Sequence, residues 1–225
     1  YHGDFAEVKK AFADFLHRLP FYGLAVLCVD DPEVAALAKA TNRRVIRYGI
    51  DSADADVRAL NLRQQGFEMH FELQLPDGAA AVPVTLNLPG RHNVLNALAA
   101  ATIGWQLGVE VAAIAAALKG FQGVGRRFHR RGELAIDGGR VLLVDDYGHH
   151  PREIAAVFAA VRGGWPERRL VVAFQPHRYS RTRDLLDDFA NVLADADVLV
   201  LTDVYPAGEA PIAGADGRAL ARAVR

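Results

Sequence analysis

The sequence predicts an α/β protein of two units: a parallel sheet running into a small antiparallel one, then a doubly wound, Rossmann-like sheet. Three observations predict it. Short apolar runs alternate with amphipathic, helix-length segments near both ends of the chain. Three strand-like runs in the middle are separated by turn residues. A glycine-rich stretch without helical or strand period, Phe121-Gln122-Gly123-Val124-Gly125-Arg126-Arg127-Phe128, divides the two, so the boundary falls at about 124/125.

Phe5 to Leu19 carries Phe5, Val8, Phe12, Phe15 and Leu16 at helical spacing, which predicts a helix with one apolar face. Gly23 to Val29 is a continuous apolar run of strand length. Asp31-Pro32 opens a helix, with proline suited to its first turn, and Arg43 to Tyr48 is the next strand. Val57 to Asn61, Phe67 to Leu73 and Val82 to Leu88 are short strands, with turns at Gln64-Gln65-Gly66 and Pro76-Asp77-Gly78. Two alanine-rich helices follow, Asn93 to Leu107 and Val111 to Leu118.

Beyond the glycine-rich stretch, strands at Val141 to Val144, Leu170 to Phe174 and Val198 to Leu201 alternate with helices. These helices are read at Pro151 to Val161, Thr182 to Leu193 and Gly217 to Val224. The chain starts without methionine and stops inside a helical pattern, so it is expected to be a piece of a longer protein.

Of the 225 residues, 51% are hydrophobic and 24% charged, as in a soluble globular protein. The formal net charge of -1 gives no bulk attraction to nucleic acid or to an acidic membrane surface. No apolar run approaches the roughly 20 residues that span a bilayer. The single cysteine, Cys28, lies in an apolar strand and reads as a structural thiol in a reducing cytoplasm.

Three segments carry chemistry. Pro89-Gly90-Arg91-His92-Asn93-Val94-Leu95-Asn96-Ala97 joins a strand to a helix. Asn93 reads either as the helix N-cap or as an amide offered to a base such as adenine. Asp145-Asp146-Tyr147-Gly148-His149-His150-Pro151 lies at the carboxyl end of a strand, where open α/β sheets bind ligands. Two carboxylates, a phenol and two imidazoles within six residues are more polar chemistry than a structural turn needs. Gln175-Pro176-His177-Arg178-Tyr179-Ser180-Arg181-Thr182-Arg183 follows the next strand. Arg178 and Arg181, three apart at a helix start, suit a carboxylate or phosphate. Arg126 and Arg127 are either ligand contacts from the linker or solvated charges. Val204 to Pro211 ends the last strand at the same edge and reads as a loop of little charge. Neither a Gly-x-x-x-x-Gly-Lys-Ser/Thr phosphate loop nor His-Glu-x-x-His nor paired Cys-x-x-Cys occurs in these residues.

In this order and spacing, Gly90 to Ala97, Asp145 to Pro151 and Gln175 to Thr182 resemble the Mur ligases. The last two segments are similar to the member that adds L-alanine. Leu19-Pro20-Phe21-Tyr22-Gly23 and Val204-Tyr205-Pro206-Ala207-Gly208-Glu209 extend the likeness over essentially the whole chain. The resemblance implies that residues 1–124 are the later part of a P-loop-type central ATP-binding domain. Residues 125–225 would be most of the C-terminal, amino-acid-binding domain. It implies ATP-dependent ligation of L-alanine to UDP-N-acetylmuramate through an acyl phosphate, with ATP and Mg2+. The phosphate loop and the magnesium ligands are expected before Tyr1, and His2 is not assigned a metal. It further implies that Asn93, Arg126, Arg127 and Asp146 contact ATP. Tyr147, His149, His177, Arg178 and Arg181 would surround L-alanine.

Three other readings stay open. A peptide-recycling ligase of the same family would attach a tripeptide to the same sugar. A two-metal phosphoesterase would use Asp145, Asp146, His149, His150 and His177 as ligands. A non-catalytic binding module is a third class.

Overall fold

A computed structural model describes residues 4–76, 78 and 80–224. Its described residues divide into two compact units, one up to Gln122 and one from Gly123. The turn expected at Pro76-Asp77-Gly78 lies partly outside the described residues, as does His2.

The first unit runs α1 (Phe5–His17), β1 (Leu24–Cys28), α2 (Pro32–Ala40), β2 (Arg44–Gly49), β3 (Val57–Gln65), β4 (Glu68–Gln74), β5 (Val82–Leu86), α3 (Arg91–Gln106) and α4 (Val111–Gly120). The five strands form one mixed sheet in sequence order. β1 and β2 pair in parallel along five residues, whereas β3, β4 and β5 form an antiparallel meander. Only Tyr48 and Gly49 pair with Val57 and Arg58, also in parallel. β3 therefore runs on past the end of β2, and a short loop replaces the long crossover that parallel neighbours usually need.

That loop is tied at both ends. The Asp30 carboxylate accepts from the backbone N–H groups of Ile50 (2.7 Å), Asp51 (3.1 Å) and Ser52 (2.9 Å). Asp56 accepts from Arg47 Nε (3.0 Å) and Nη2 (2.6 Å), a bidentate pair that lowers the aspartate's pKa. At the start of α2, Asp31 is the predicted cap, accepting from Glu33 N–H with Pro32 in the first turn.

α3 packs its Val94, Ala97, Leu98 and Ala101 face onto Val57, Leu73, Val84 and Leu86 of the sheet. Thr102, buried in the same helix, donates its hydroxyl to the Leu98 carbonyl at 2.7 Å, so the apolar core keeps no unsatisfied oxygen there. The aromatic residues of α1 and the turn after it, Phe5, Phe12, Phe15, Phe21 and Tyr22, are exposed.

The second unit runs β6 (His129–Ile136), β7 (Gly139–Asp145), α5 (Pro151–Gly164), β8 (Val171–Phe174), α6 (Tyr179–Asp184), α7 (Leu186–Leu193), β9 (Val198–Leu201) and α8 (Gly217–Ala223). β8 and β9 pair in parallel, and β7 pairs antiparallel with β6. β6 has no counterpart among the strands that the sequence predicts. Its core gathers Ile154, Phe158, Phe174, Phe189, Leu193 and Leu220. The helix expected over Thr182 to Leu193 starts earlier and is bent at Leu185, whose φ of -121° and ψ of 26° leave helical geometry. Gly217 opens α8 against β9's outgoing strand, and a Cβ there would stand 2.6 Å from the Thr202 carbonyl oxygen. Among the described residues, no helix is long and apolar enough to cross a membrane.

Candidate functional site

β7 delivers its carboxyl end to the turn Asp146–His150, and α5 begins immediately after it. Asp146 organises this turn. Its Oδ1 accepts from Gly148 N–H and its Oδ2 from Phe128 N–H, both at 2.7 Å. A Cβ on Gly148 would lie 2.9 Å from Asp146 Oδ1, so glycine fits where a side chain would crowd the carboxylate. His150 caps α5 through Nδ1, accepting from Arg152 N–H, and Glu153 completes the capping box. Glu153 Oε2 accepts from the N–H groups of His149 (2.9 Å) and His150 (3.1 Å). Burial pushes the Glu153 carboxyl up, but these amides and the charges of His149 and Arg127 outweigh it, so its pKa ends below the usual value.

Arg126 and Arg127 belong to this turn and not simply to a solvated linker. Arg126 has a left-handed backbone (φ 61°), and its carbonyl accepts from Tyr147 N–H at 2.7 Å. Its guanidinium lies 4.4 Å from the centre of the Tyr147 ring; that of Arg127 lies at 5.8 Å, with Nη1 3.6 Å from Glu153. Next to them Phe128 is buried and stacks on Trp165, their ring planes 9° apart.

The second polar segment enters from β8. His177 and Tyr205 form a parallel bridge beyond β8 and β9, in which Arg178 donates its N–H to the Tyr205 carbonyl at 3.0 Å. This alignment continues the row of rings: Tyr147 to His149 at 5.3 Å, His149 to His177 at 5.8 Å and His177 to Tyr205 at 5.5 Å. His149 Nδ1 is 3.0 Å from the Tyr147 carbonyl, which can only accept, so that nitrogen carries the proton. His177 Nδ1 faces Arg181 Nη1 at 3.5 Å. Burial first, then the charge of Arg181, lowers the His177 pKa and favours its neutral ring.

The two arginines do not share one face as a helix pair. Arg178 is the residue before α6, with φ 61° and ψ 147°, a conformation rare for a residue with a side chain. Its Nη1 reaches Glu209 Oε1 at 3.2 Å, whereas Arg181 turns to His177. Glu209 also accepts from Ser180 N–H (2.9 Å) and Ser180 Oγ–H (2.6 Å). The Ser180 N–H at the start of α6 is thus already engaged. The Ser180 bonds, then the charge of Arg178, lower the Glu209 pKa. Sequence reasoning passed over Glu209. Its only signal was its place in the Val204–Glu209 segment, 31 residues from Arg178.

The second unit therefore brings together Arg126, Arg127, Asp146, Tyr147, His149, His177, Arg178 and Arg181. Asn93 stands in the first unit. It is not the N-cap of α3: Gly90 holds that position with φ 93°, and Asn93 Nδ2 instead donates to the Pro89 carbonyl at 2.8 Å. Three residues beyond the cap, its side chain cannot play that role.

The five residues of the two-metal reading do not converge. Asp145 binds Arg131 Nη2 at 2.7 Å, Asp146 binds backbone amides and His150 caps α5. Among the described residues, no group of three His, Cys, Asp or Glu side chains is arranged to hold a metal ion.

Comparisons with known proteins agree on one family. Residues 1–104 match the model of the Mur ligase middle domain, and residues 126–225 match that of the Mur ligase, glutamate ligase domain. The UDP-N-acetylmuramate–L-alanine ligase of Xanthomonas campestris pv. campestris is 67% identical over 226 residues, covering all of this chain and 47% of that protein. The corresponding ligase of Xanthomonas oryzae pv. oryzae is 66% identical over the same shares. The crystal structure of UDP-N-acetylmuramate–alanine ligase from Thermotoga maritima superposes with a TM-score of 0.74 at 25% identity, covering 99% of this chain and 44% of that one. The chain thus spans about half the length of the curated relatives it matches.

Proposed function

The chain belongs to the Mur ligase family, and from that membership we propose that it serves as part of an ATP-dependent ligase joining L-alanine to UDP-N-acetylmuramate. Residues 1–124 would be the later part of the ATP-binding domain and residues 125–225 most of the amino-acid-binding domain. The reaction belongs to peptidoglycan precursor synthesis, and with it the reading assigns a cytoplasmic setting.

One observation carries the assignment of the acceptor site: the row Tyr147–His149–His177–Tyr205, with Arg126 against the Tyr147 ring and Arg181 beside His177. Aromatic walls exclude water around a small apolar side chain, and a guanidinium fork takes the acceptor's carboxylate. Arg178 keeps Nε and Nη2 without a hydrogen-bond partner among the described residues, which leaves one edge of its fork for that carboxylate. With the carboxylate held, the amine is left to attack the acyl carbon of the activated sugar acid. The carbon–nitrogen bond forms, the bond from that carbon to the phosphate oxygen breaks, inorganic phosphate leaves, and the nitrogen gives up a proton to solvent. What these residues contribute is position and charge.

ATP supplies the phosphoryl group that activates the sugar acid. Asn93 would offer its amide to adenine, Asp146 the remaining lone pairs of its carboxylate to the ribose, and Arg126 or Arg127 its charge to the nucleotide. The described residues do not form a magnesium site.

The test is a steady-state titration of L-alanine at saturating ATP and sugar substrate in the complete ligase, for wild type and Arg178→Ala. Loss of one charge-assisted hydrogen bond, about 1.5–3 kcal/mol, lowers kcat/KM for alanine roughly 10- to 150-fold. Arg178→Lys restores only part, because an ammonium lacks the planar fork. Unchanged alanine kinetics in a folded variant would remove Arg178 from the site. A wild-type preference for a tripeptide over alanine would move the chain to the peptide-recycling branch.

A further inference from the structure

We infer that Glu209 is a positioning residue for the acceptor carboxylate: it holds the Arg178 guanidinium by one nitrogen, so that the other edge of the fork faces the substrate. The inference rests on the reading that this site takes the acceptor amino acid, and it gives the Val204–Glu209 loop a task that the motifs alone do not assign.

Four contacts support it. Glu209 Oε1 accepts from Arg178 Nη1 and from Ser180 Oγ–H, while Oε2 accepts from Ser180 N–H. Both carboxylate oxygens are therefore committed to the two residues on either side of Tyr179. On the other side of the loop, the Tyr205 carbonyl accepts from Arg178 N–H. Arg178 is thus held by its backbone and by its side chain from one five-residue stretch, Tyr205 to Glu209.

The backbone it holds is a strained one. A side-chain-bearing residue at φ 61° and ψ 147° persists only where its surroundings over-determine it, and such residues gather at ligand sites. The Thr182 N–H and hydroxyl both donate to the Arg178 carbonyl, at 3.1 and 3.0 Å, completing the restraint. The Tyr205 ring stacks on His177, so the same loop also backs the aromatic row. A carboxylate this close to a substrate-binding arginine has two possible effects: it orients the guanidinium or it competes for it. Contact through Nη1 alone favours orientation, since a competitor would take the bidentate edge.

The experiment is a double-mutant cycle in the complete ligase: wild type, Glu209→Ala, Arg178→Ala and the pair, each titrated with L-alanine and with ATP. Glu209→Ala raises the KM for alanine roughly tenfold and changes the KM for ATP by less than about twofold. Once Arg178 is alanine, removing Glu209 adds less than about twofold, because the two act through one interaction. Effects that multiply would overturn the inference. So would a lower alanine KM in Glu209→Ala, which would make Glu209 a competitor.

Glu209→Gln keeps an acceptor for Ser180 and guards against a folding defect. On the 225-residue chain, 15N NMR should show slow rotation of the Arg178 guanidinium in wild type and fast rotation in Glu209→Gln. Equal mobility would end the proposal whatever the ligase assay gives. A wild-type enzyme that ignores alanine would instead count against the functional reading, and the NMR comparison would still decide Glu209.

Discussion

Arg126 and Tyr147 hold each other twice: the Arg126 carbonyl accepts from Tyr147 N–H at 2.7 Å, and the Arg126 guanidinium lies 4.4 Å from the centre of the Tyr147 ring. The first contact needs only backbone; the second needs the ring. Tyr147→Leu therefore keeps the backbone bond and removes the ring contacts, of which the Arg126 cation–π contact is worth about 0.5–1 kcal/mol at an exposed site. If Arg126 meets the nucleotide, the KM for ATP should rise roughly two- to fivefold. An ATP titration of the folded variant checks this, and an unchanged value would detach the arginine's orientation from nucleotide binding.

Asp146→Asn should destabilise the second unit. The carboxylate accepts from Phe128 and Gly148 N–H with its two oxygens, and an amide has one oxygen to offer. One part-buried backbone donor loses its partner, at a cost of about 1–3 kcal/mol. Chemical denaturation of the 225-residue chain measures it. Equal midpoints would mean that water takes over the orphaned N–H without loss.

His177 makes stability depend on pH. Its pKa in the folded chain is lowered from the ordinary 6.5 by burial and then by Arg181, with His149 and Arg178 adding to the effect and Glu209 opposing it. The unfolded chain therefore binds a proton at a pH where the folded chain does not. This contribution is absent well above 6.5 and erodes stability as pH falls from 6.5 through the folded value. Denaturation midpoints measured from about pH 7.5 to about pH 5.5 should fall less steeply in His177→Gln than in wild type. Parallel curves would show that the ring titrates normally.

Gly217→Ala should lower stability by about 1–3 kcal/mol, the usual range for forcing atoms into a packed site. The added Cβ would meet the Thr202 carbonyl oxygen at 2.6 Å, and a backbone atom cannot swing aside as a side-chain end can. A thermal melt against wild type decides it. An unshifted midpoint would show that α8 moves off β9 without loss.

Much of the fold was legible because the relevant signals are local. Asp31-Pro32 announces α2 by cap and ring, and the apolar run before it reads as β1. The meander of β3, β4 and β5 follows from short runs between turn residues. β6 escaped because His129 to Ile136 is exposed along most of its length, and a strand with no buried face leaves no alternation to see. The bend at Leu185 escaped because no glycine or proline marks it. Asn93 misled because a polar residue near a helix start looks like a cap, whereas Gly90 reaches a φ of 93° that favours glycine. In the site, the polar segments stood out by composition. The pairing of Arg178 with Glu209 joins residues 31 apart, which the β8–β9 ladder and the bridge of His177 with Tyr205 bring together.

The bend at Leu185 separates two duties that one continuous helix would couple. Phe189 and Leu193 of α7 are fully enclosed, while α6 carries Arg181 and follows Arg178. A rigid rod would transmit any reorientation of its first turn to those anchors. With a knee between them, the arginine-bearing turn takes its heading from its own tethers to Tyr205 and Glu209, independently of those anchors. The segment 177–184 has an anchor of its own in Thr182, fully enclosed like Phe189 and Leu193, so the two halves are seated separately on either side of the knee.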